Sequence, residues 1–347
     1  VYEAYNNGKY TIEEKKEMFP HLFNSLSIVI PVLSSTFASV GRFLKHAGNM
    51  SLGMLIIDES GQAVPQSALG AIYRTRRAVV VGDPLQVEPV VTIPKVLIDI
   101  LADSTCVANE YKVIENSAQT FADNINEFNG MIGERQVGCP LVVHRRCIEP
   151  MFSISNLISY DNRMFNKTHK KEDYLKQEQP FLIKKSGWIN VEGTENGSKD
   201  HFVKNQAERV CQLMEDAVHI YSDLFETDDK IFIITPFRTV AESMRKFIIS
   251  YFSAKGYDKE ILSKWTKNCV GTVHTFQGKD ANEVLLVLGC SNKSAGAMNW
   301  VVKKANILNV ACTRAKYRIA FIGNINDWKN RRYFREFIPN LIDIINV

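Results

Sequence analysis

The sequence predicts an α/β protein built on parallel sheets. Two observations carry this. Short apolar runs end in acids and turn residues, as in MLIIDESGQA (residues 54–63) and VVVGDPLQ (residues 79–86). Runs of this kind, bounded by turn signals, read as buried strands of a parallel sheet. Farther along, similar runs alternate with helix-like segments, which is the order that strand–helix–strand units require.

Taken in order, residues 1–24 are charged and helix-compatible, with Pro20 interrupting them. Residues 27–33, SIVIPVL, read as a strand, and Pro31 argues for an edge or a strand end. The hydroxyl cluster Ser34, Ser35, Thr36 and Ser39 follows, which suits either a helix cap or a phosphate. Residues 65–73 and 94–102 are expected helices, the second with Pro at its start. Residues 103–134 are polar and Asn-rich, and the domain boundary is expected there. The expected division is 1–105, a connector at 106–135, and 136–347.

In the second part, an apolar run ends in His144, Arg145 and Arg146, and a helix follows. Residues 166–178 form a charged segment expected to be an exposed loop. Strands are expected at 188–192, 230–235, 269–273, 283–289 and 318–323. Helices are expected at 205–221, 239–252 and 305–315, the last carrying Asn309, Thr313 and Arg314.

Composition sets bounds. The chain has 347 residues, 45% hydrophobic and 23% charged, with room for two domains. No apolar run approaches the roughly 18 residues of a membrane span, so no membrane partner is expected. No secretory signal opens the chain, and a cytoplasmic location is expected, nucleoid-associated in a bacterium. The seven cysteines are odd in number and form no CxxC, so they read as reduced core thiols. The formal net charge of +4 is too small to establish a nucleic-acid partner.

In open α/β sheets, ligands sit beyond the carboxyl ends of the strands. Asp58, Glu59, Asp83 and Gln86 are therefore expected at one sheet edge, where they suit a metal-bound phosphate and a water to be activated. Alone, Asp58-Glu59 reads rather as a pair of solvated acids at a strand end. An Arg pair beside a helix is also a common surface feature, although arginine is the residue that grips phosphate in two places at once.

The ordered series IIDESGQA, GDPLQ, HRRC, IITPF, TVHTFQGKD and NVACTRAK resembles the superfamily 1 helicases, in the branch typified by the nonsense-mediated-decay helicase and its bacterial relatives. The resemblance runs from about Ser34 to Gly323. It implies the RecA-like fold of P-loop NTPases, a partial first domain followed by a complete second, with ATP and Mg²⁺ as cofactors. It implies Asp58 as the Mg²⁺ ligand, Glu59 as the base that deprotonates the attacking water, Gln86 as the γ-phosphate sensor, and Asp83 beside the nucleotide. Arg146 and Arg314 match arginines that neutralise the transferring phosphoryl group, a device worth about 10³ to 10⁵ in rate. Gln277 and Gly278 resemble the segment that couples nucleotide to nucleic acid. Ser35, Thr36, Thr272, His274 and Thr275 would meet the backbone of single-stranded DNA or RNA without reading its sequence, and the resemblance implies 5′-to-3′ travel.

Three departures qualify these expectations. Ser60 stands where the family usually has Ala, and Asp280 stands where it has the Glu that binds the ribose. No GxxxxGK[ST] loop is present, and Gly41, Gly48 and Gly53 lack its pattern. The expectation is that this loop belongs to an upstream part of the same protein, so that the chain alone binds ATP poorly. The other class of reading is a silent nucleic-acid-binding or regulatory module of helicase ancestry. An α/β hydrolase finds no G-x-S-x-G elbow here.

Overall fold

The first element, α1 (Ile12–Val29), opens with Thr11 and Glu14 capping each other, and it carries Pro20 inside. Residues 27–33, expected as a strand, instead complete this helix and leave it. Ser27 Oγ donates to the Phe23 carbonyl at 2.8 Å, and the Ile30 amide donates to the Leu26 carbonyl at 2.8 Å. Pro31, which has no amide proton, then stops the helix. Helix propagation adds one bond per residue once nucleated, and here it outcompetes the local β preference of Ile28 and Val29. Residues 30–36 form no strand.

The structure, a computed structural model, describes residues 8–108, 111–112, 116–132, 135–168, 181–195, 200–276 and 278–345. Gln277 and residues 169–180, most of the expected charged loop, lie outside the described residues. The chain divides into two compact units. One comprises Val1–Pro84, Glu88–Gly130 and Gln136–Cys139; the other comprises Leu85–Val87, Met131–Arg135 and Pro140–Val347.

Within the first unit, α2 (Phe37–Phe43) leads to β1 (Leu52–Ile57), α3 (Pro65–Tyr73), β2 (Thr75–Val80), α4 (Lys95–Ser104) and α5 (Ala118–Ile125). β1 and β2 pair in parallel, with Ile57 opposite Val80. The expectation of fully buried strands needs correction here. Met54 is 58% exposed and Ile56 66% exposed, because the pair forms a two-stranded sheet and only Ile57, Ala68 and Ala118 make its buried apolar centre. Two short strands follow in the chain, β3 (Gly130–Ile132) and β4 (Arg135–Val137).

In the second unit, β5 (Val143–His144) pairs in parallel with β6 (Phe165–Asn166) around α6 (Met151–Ser159). The main sheet is made by β7 (Gly187–Asn190), β8 (Ile231–Thr235), β9 (Val270–Thr272), β10 (Ala281–Val287), β11 (Ala315–Gly323) and β12 (Asp343–Ile344). Its order is β12-β7-β11-β10-β8-β9, and its neighbouring strands pair in parallel. The helices that connect it are α7 (Lys204–Ile220), α8 (Arg238–Ser253), α9 (Lys259–Cys269), α10 (Ala295–Val301), α11 (Asn306–Arg314), α12 (Ile325–Trp328) and α13 (Phe334–Leu341). The apolar runs IFIIT and EVLLV are buried at nearly every position, as central parallel strands must be. Trp188 stacks on Phe321 with ring centroids 5.7 Å apart, which ties β7 to β11. Among the described residues, no helix is long and apolar enough to cross a membrane.

Candidate functional site

In the first unit, the loops that leave β1 and β2 are packed backbone against backbone. Val81 donates to the Ile57 carbonyl at 2.8 Å, and Ser60 donates back to the Val81 carbonyl at 2.9 Å. A Cβ on Gly82 would lie 2.6 Å from the Gly61 nitrogen, and one on Gly61 would lie 2.8 Å from the Asp83 carbonyl oxygen. Two glycines thus allow the two loops to touch, which brings the DES and GDP segments together as expected.

At that junction Asp58 and Glu59 are exposed at the carboxyl end of β1. The Glu59 amide donates to Asp58 Oδ1 at 2.9 Å, and Gln62 Nε2 donates to Glu59 Oε2 at 3.0 Å. Glu59 has φ +53°, a conformation costly for a residue with a side chain and concentrated at functional sites. Ser60 has a use that sequence reasoning missed. Its buried hydroxyl lies 2.6 Å from Gln119 Oε1 and 2.8 Å from the Val81 carbonyl. Gln119 in turn donates to Asp123 Oδ1 at 2.8 Å, as does the Gly138 amide at 3.1 Å. Ser35 and Thr36 are exposed; Thr36 occupies the N-cap position of α2 but makes no side-chain cap bond.

The second unit gathers three of the expected segments around one side chain. Arg314, at the end of α11, is fully buried. It donates to the carbonyls of Phe276 at 3.3 Å and Lys279 at 3.1 Å, which bracket Gln277-Gly278. It also donates to Gln86 Oε1 at 3.3 Å. Nearby, Asn309 Nδ2 donates to the Leu85 carbonyl and to the Tyr160 hydroxyl, each at 3.0 Å. Gly278 has φ +73°, which accounts for glycine there. Asp280 pairs with Lys316 at 2.8 Å, so its carboxylate is already engaged by a cation of the same unit.

This cluster sits at the amino ends of β10 and β11, since Ala281 pairs with Ala315 directly after Asp280 and Arg314. Arg146, half-buried, follows β5, and two residues on the Ile148 amide donates to the Lys316 carbonyl at 3.3 Å. The His144 ring shapes that turn by accepting from the Cys147 amide at 2.9 Å. Thr272 ends β9, and His274 and Thr275 are exposed on the short turn Val273–Phe276.

Glu283 is a second buried group that sequence reasoning missed. It accepts from the amides of Leu182 at 2.9 Å and Ile183 at 2.6 Å and from the Tyr221 hydroxyl at 2.6 Å. Burial pushes its carboxyl up, and the Tyr221 hydroxyl and the two amides pull it part of the way back. Its only sequence signal is an acid at the start of an otherwise apolar run.

A parallel-sheet unit carrying these segments in this order is a RecA-like P-loop NTPase domain. A family model described as AAA domain matches residues 127–326, more than half of the chain, and a second of the same description matches residues 3–93. The chain belongs to this family and, within it, to the superfamily 1 helicases of the nonsense-mediated-decay branch. It is 23% identical to an uncharacterised ATP-dependent helicase of Methanocaldococcus jannaschii over 95% of this chain and 44% of that protein. It is 22% identical to the probable helicase senataxin of Mus musculus over 91% of this chain and 11% of that protein. Regulator of nonsense transcripts 1 of Dictyostelium discoideum is 23% identical over 78% of this chain and 18% of that protein. The chain thus spans less than half the length of each of these curated relatives.

Proposed function

We propose that the chain is the motor part of an ATP-dependent nucleic-acid helicase or translocase. The observation that carries this is the convergence of Gln86, the Phe276–Lys279 turn and Arg314 on one buried guanidinium. These are the segments whose family counterparts sense the γ-phosphate and couple it to the nucleic acid. Asp58 and Glu59 suit their roles, because exposed carboxylates at a strand end supply the oxygen donors a hard divalent ion needs. Bound Mg²⁺-ATP would supply the phosphoryl group and its leaving-group charge. Asp58 would hold the ion, and Glu59, kept in place by Gln62, would take the proton from the attacking water. Asp83 lines the same loop junction. Gln86 reports the γ-phosphate to Arg314, and Arg146 and Arg314 neutralise the phosphoryl charge. Gly278 and Gln277 meet the nucleotide side of the coupling segment, and Asp280 reaches the ribose only by leaving its pair with Lys316. Ser35, Thr36, Thr272, His274 and Thr275 face a single strand of DNA or RNA, and the family resemblance implies 5′-to-3′ travel.

An upstream part of the same protein supplies the phosphate-cradling loop. The bare apolar surface of β1 and β2 supports this, since parallel strands are covered on both faces in folded domains. The protein works in the cytoplasm, on the nucleoid in a bacterium. The test is the ATPase rate of the parent protein with and without single-stranded DNA or RNA, for wild type, Glu59→Gln and Gln86→Ala. Stimulation by nucleic acid in wild type, with Glu59→Gln slower by at least about 10², is expected. Equal rates in all three would leave only a silent binding module.

A further inference from the structure

At the other end of β10 the second unit holds a group of side chains that the nucleotide reading does not use. Glu195, His201 and Cys290 each offer one ligand atom, and these atoms all lie within 4.8 Å of one another. Glu195 is 8% exposed and Cys290 1% exposed. The chemistry is mixed: a carboxylate oxygen, an imidazole nitrogen and a thiol sulfur. The His201 Nδ1 is shielded from solvent and has no hydrogen-bond partner among the described residues. A polar nitrogen left that way is costly, and it is rare in a folded core.

The scaffold around these groups is fixed. The Cys290 amide donates to the His201 carbonyl at 2.9 Å, and Glu195 bridges antiparallel to Val203. The Ser291 amide donates to Glu195 Oε1 at 2.9 Å, and the Ser291 hydroxyl donates to Glu195 Oε2. The Ser294 side chain and the Glu195 amide also hydrogen-bond this carboxylate, so the Ser291 bonds orient Glu195 and metal coordination takes the place of one of the other contacts. Outer hydrogen bonds of this type hold ligating carboxylates in metalloproteins.

We infer that Glu195, His201 and Cys290 form a binding site for a borderline-soft divalent cation of the zinc class. Tetrahedral zinc with one sulfur, one nitrogen and one oxygen sets its ligand atoms roughly 3.5 Å apart, so small side-chain movements close the site. Three protein ligands leave the fourth position to water. Binding displaces the Cys290 thiol proton to solvent and forms a metal–thiolate bond, with no change of oxidation state. The ion ties Glu195 and His201 to the loop that leaves β10. Seven residues of strand, roughly 20 Å, separate it from the Arg314 cluster.

The test uses the full chain, stripped with EDTA, desalted and titrated with Co²⁺ without oxygen. One equivalent is expected to produce a near-ultraviolet thiolate-to-cobalt band with visible tetrahedral bands, and Zn²⁺ is expected to bleach both. Cys290→Ser abolishes the near-ultraviolet band. His201→Asn, an exchange that suits the positive φ at this position, lowers affinity strongly, and Ser291→Ala weakens it by about 10- to 100-fold. Cys139→Ser, which alters an exposed thiol, leaves the spectrum unchanged. No band, or a band that survives in folded His201→Asn and Cys290→Ser proteins, overturns the site.

Discussion

Replacing Arg314 by Ala tests whether this side chain builds the second unit as well as serving it. The side chain is fully buried. Truncation removes the donor from the Phe276 and Lys279 carbonyls and from Gln86 Oε1. Contacts of 3.1–3.3 Å are at the long end, and the Phe276 carbonyl keeps the Lys279 amide at 3.0 Å, so each lost bond is set at about 1 kcal/mol, the usual net worth of one hydrogen bond. Together they cost about 3 kcal/mol. The cavity adds to this, and relief from burying a guanidinium offsets part of it. For a domain of this size, 3 kcal/mol lowers Tm by about 6 to 12 °C. The assay is thermal unfolding of the chain followed by circular dichroism, with half-buried Arg146→Ala as the comparison, expected to shift Tm by no more than about 2 °C. If Arg314→Ala melts with wild type, the guanidinium is held by nothing that matters to the fold. If it melts early as expected, lost ATPase activity in that variant does not identify a catalytic arginine, and Gln86→Ala becomes the cleaner probe.

Three further substitutions separate packing from chemistry. Because burial raises the folded-state pKa of Glu283 above its ordinary 4.5, its contribution to stability is full below that value and fades as pH rises through the folded value. The urea midpoint of wild type is therefore expected to fall more steeply as pH rises above about 4.5 than that of Glu283→Gln, and parallel slopes would contradict this. Gly82→Ala places a Cβ 2.6 Å from the Gly61 nitrogen and is expected to cost about 1–3 kcal/mol. Gly41→Ala, in helix α2 with nothing within 4 Å, is expected to stabilise by about 0.5–1 kcal/mol. Equal melting of the two glycine variants would mean that the loops do not meet as described.

The second unit was legible because its strands sit between helices and are covered on both faces. IFIIT and EVLLV are apolar without alternation, and buried parallel strands look like that. The first unit was less so. A run such as MLII predicts a strand but not what lies against it, and Ile56 proved exposed. SIVIPVL was misread because strand propensity is local, whereas the helix reaching Val29 was started at Thr11. α9 went unread, since its alternating charges mask the buried Leu262 and Trp265. At the candidate site, the family resemblance singled out Arg314 and Gln86, but not the burial that makes one hold the other. Glu195, His201 and Cys290 lie in no short pattern, so only the folded chain brings them together.

The two ends of β10 also bear on how the proposals can fail. Arg314 and the Phe276–Lys279 turn precede the strand, whereas Cys290 and Ser291 follow it. A buried parallel strand held on both sides by β8 and β11 transmits displacement as a rigid body, and over roughly 20 Å two unit charges at an effective dielectric of about 20 interact by less than about 1 kcal/mol. Substitutions that abolish cobalt binding should therefore leave the chemistry at Arg314 intact unless the sheet itself shifts. A loss of both together, with Tm unchanged, requires movement of β10 along its axis, and the Leu285–Ala320 and Leu285–Ile233 registers are where that movement would have to register.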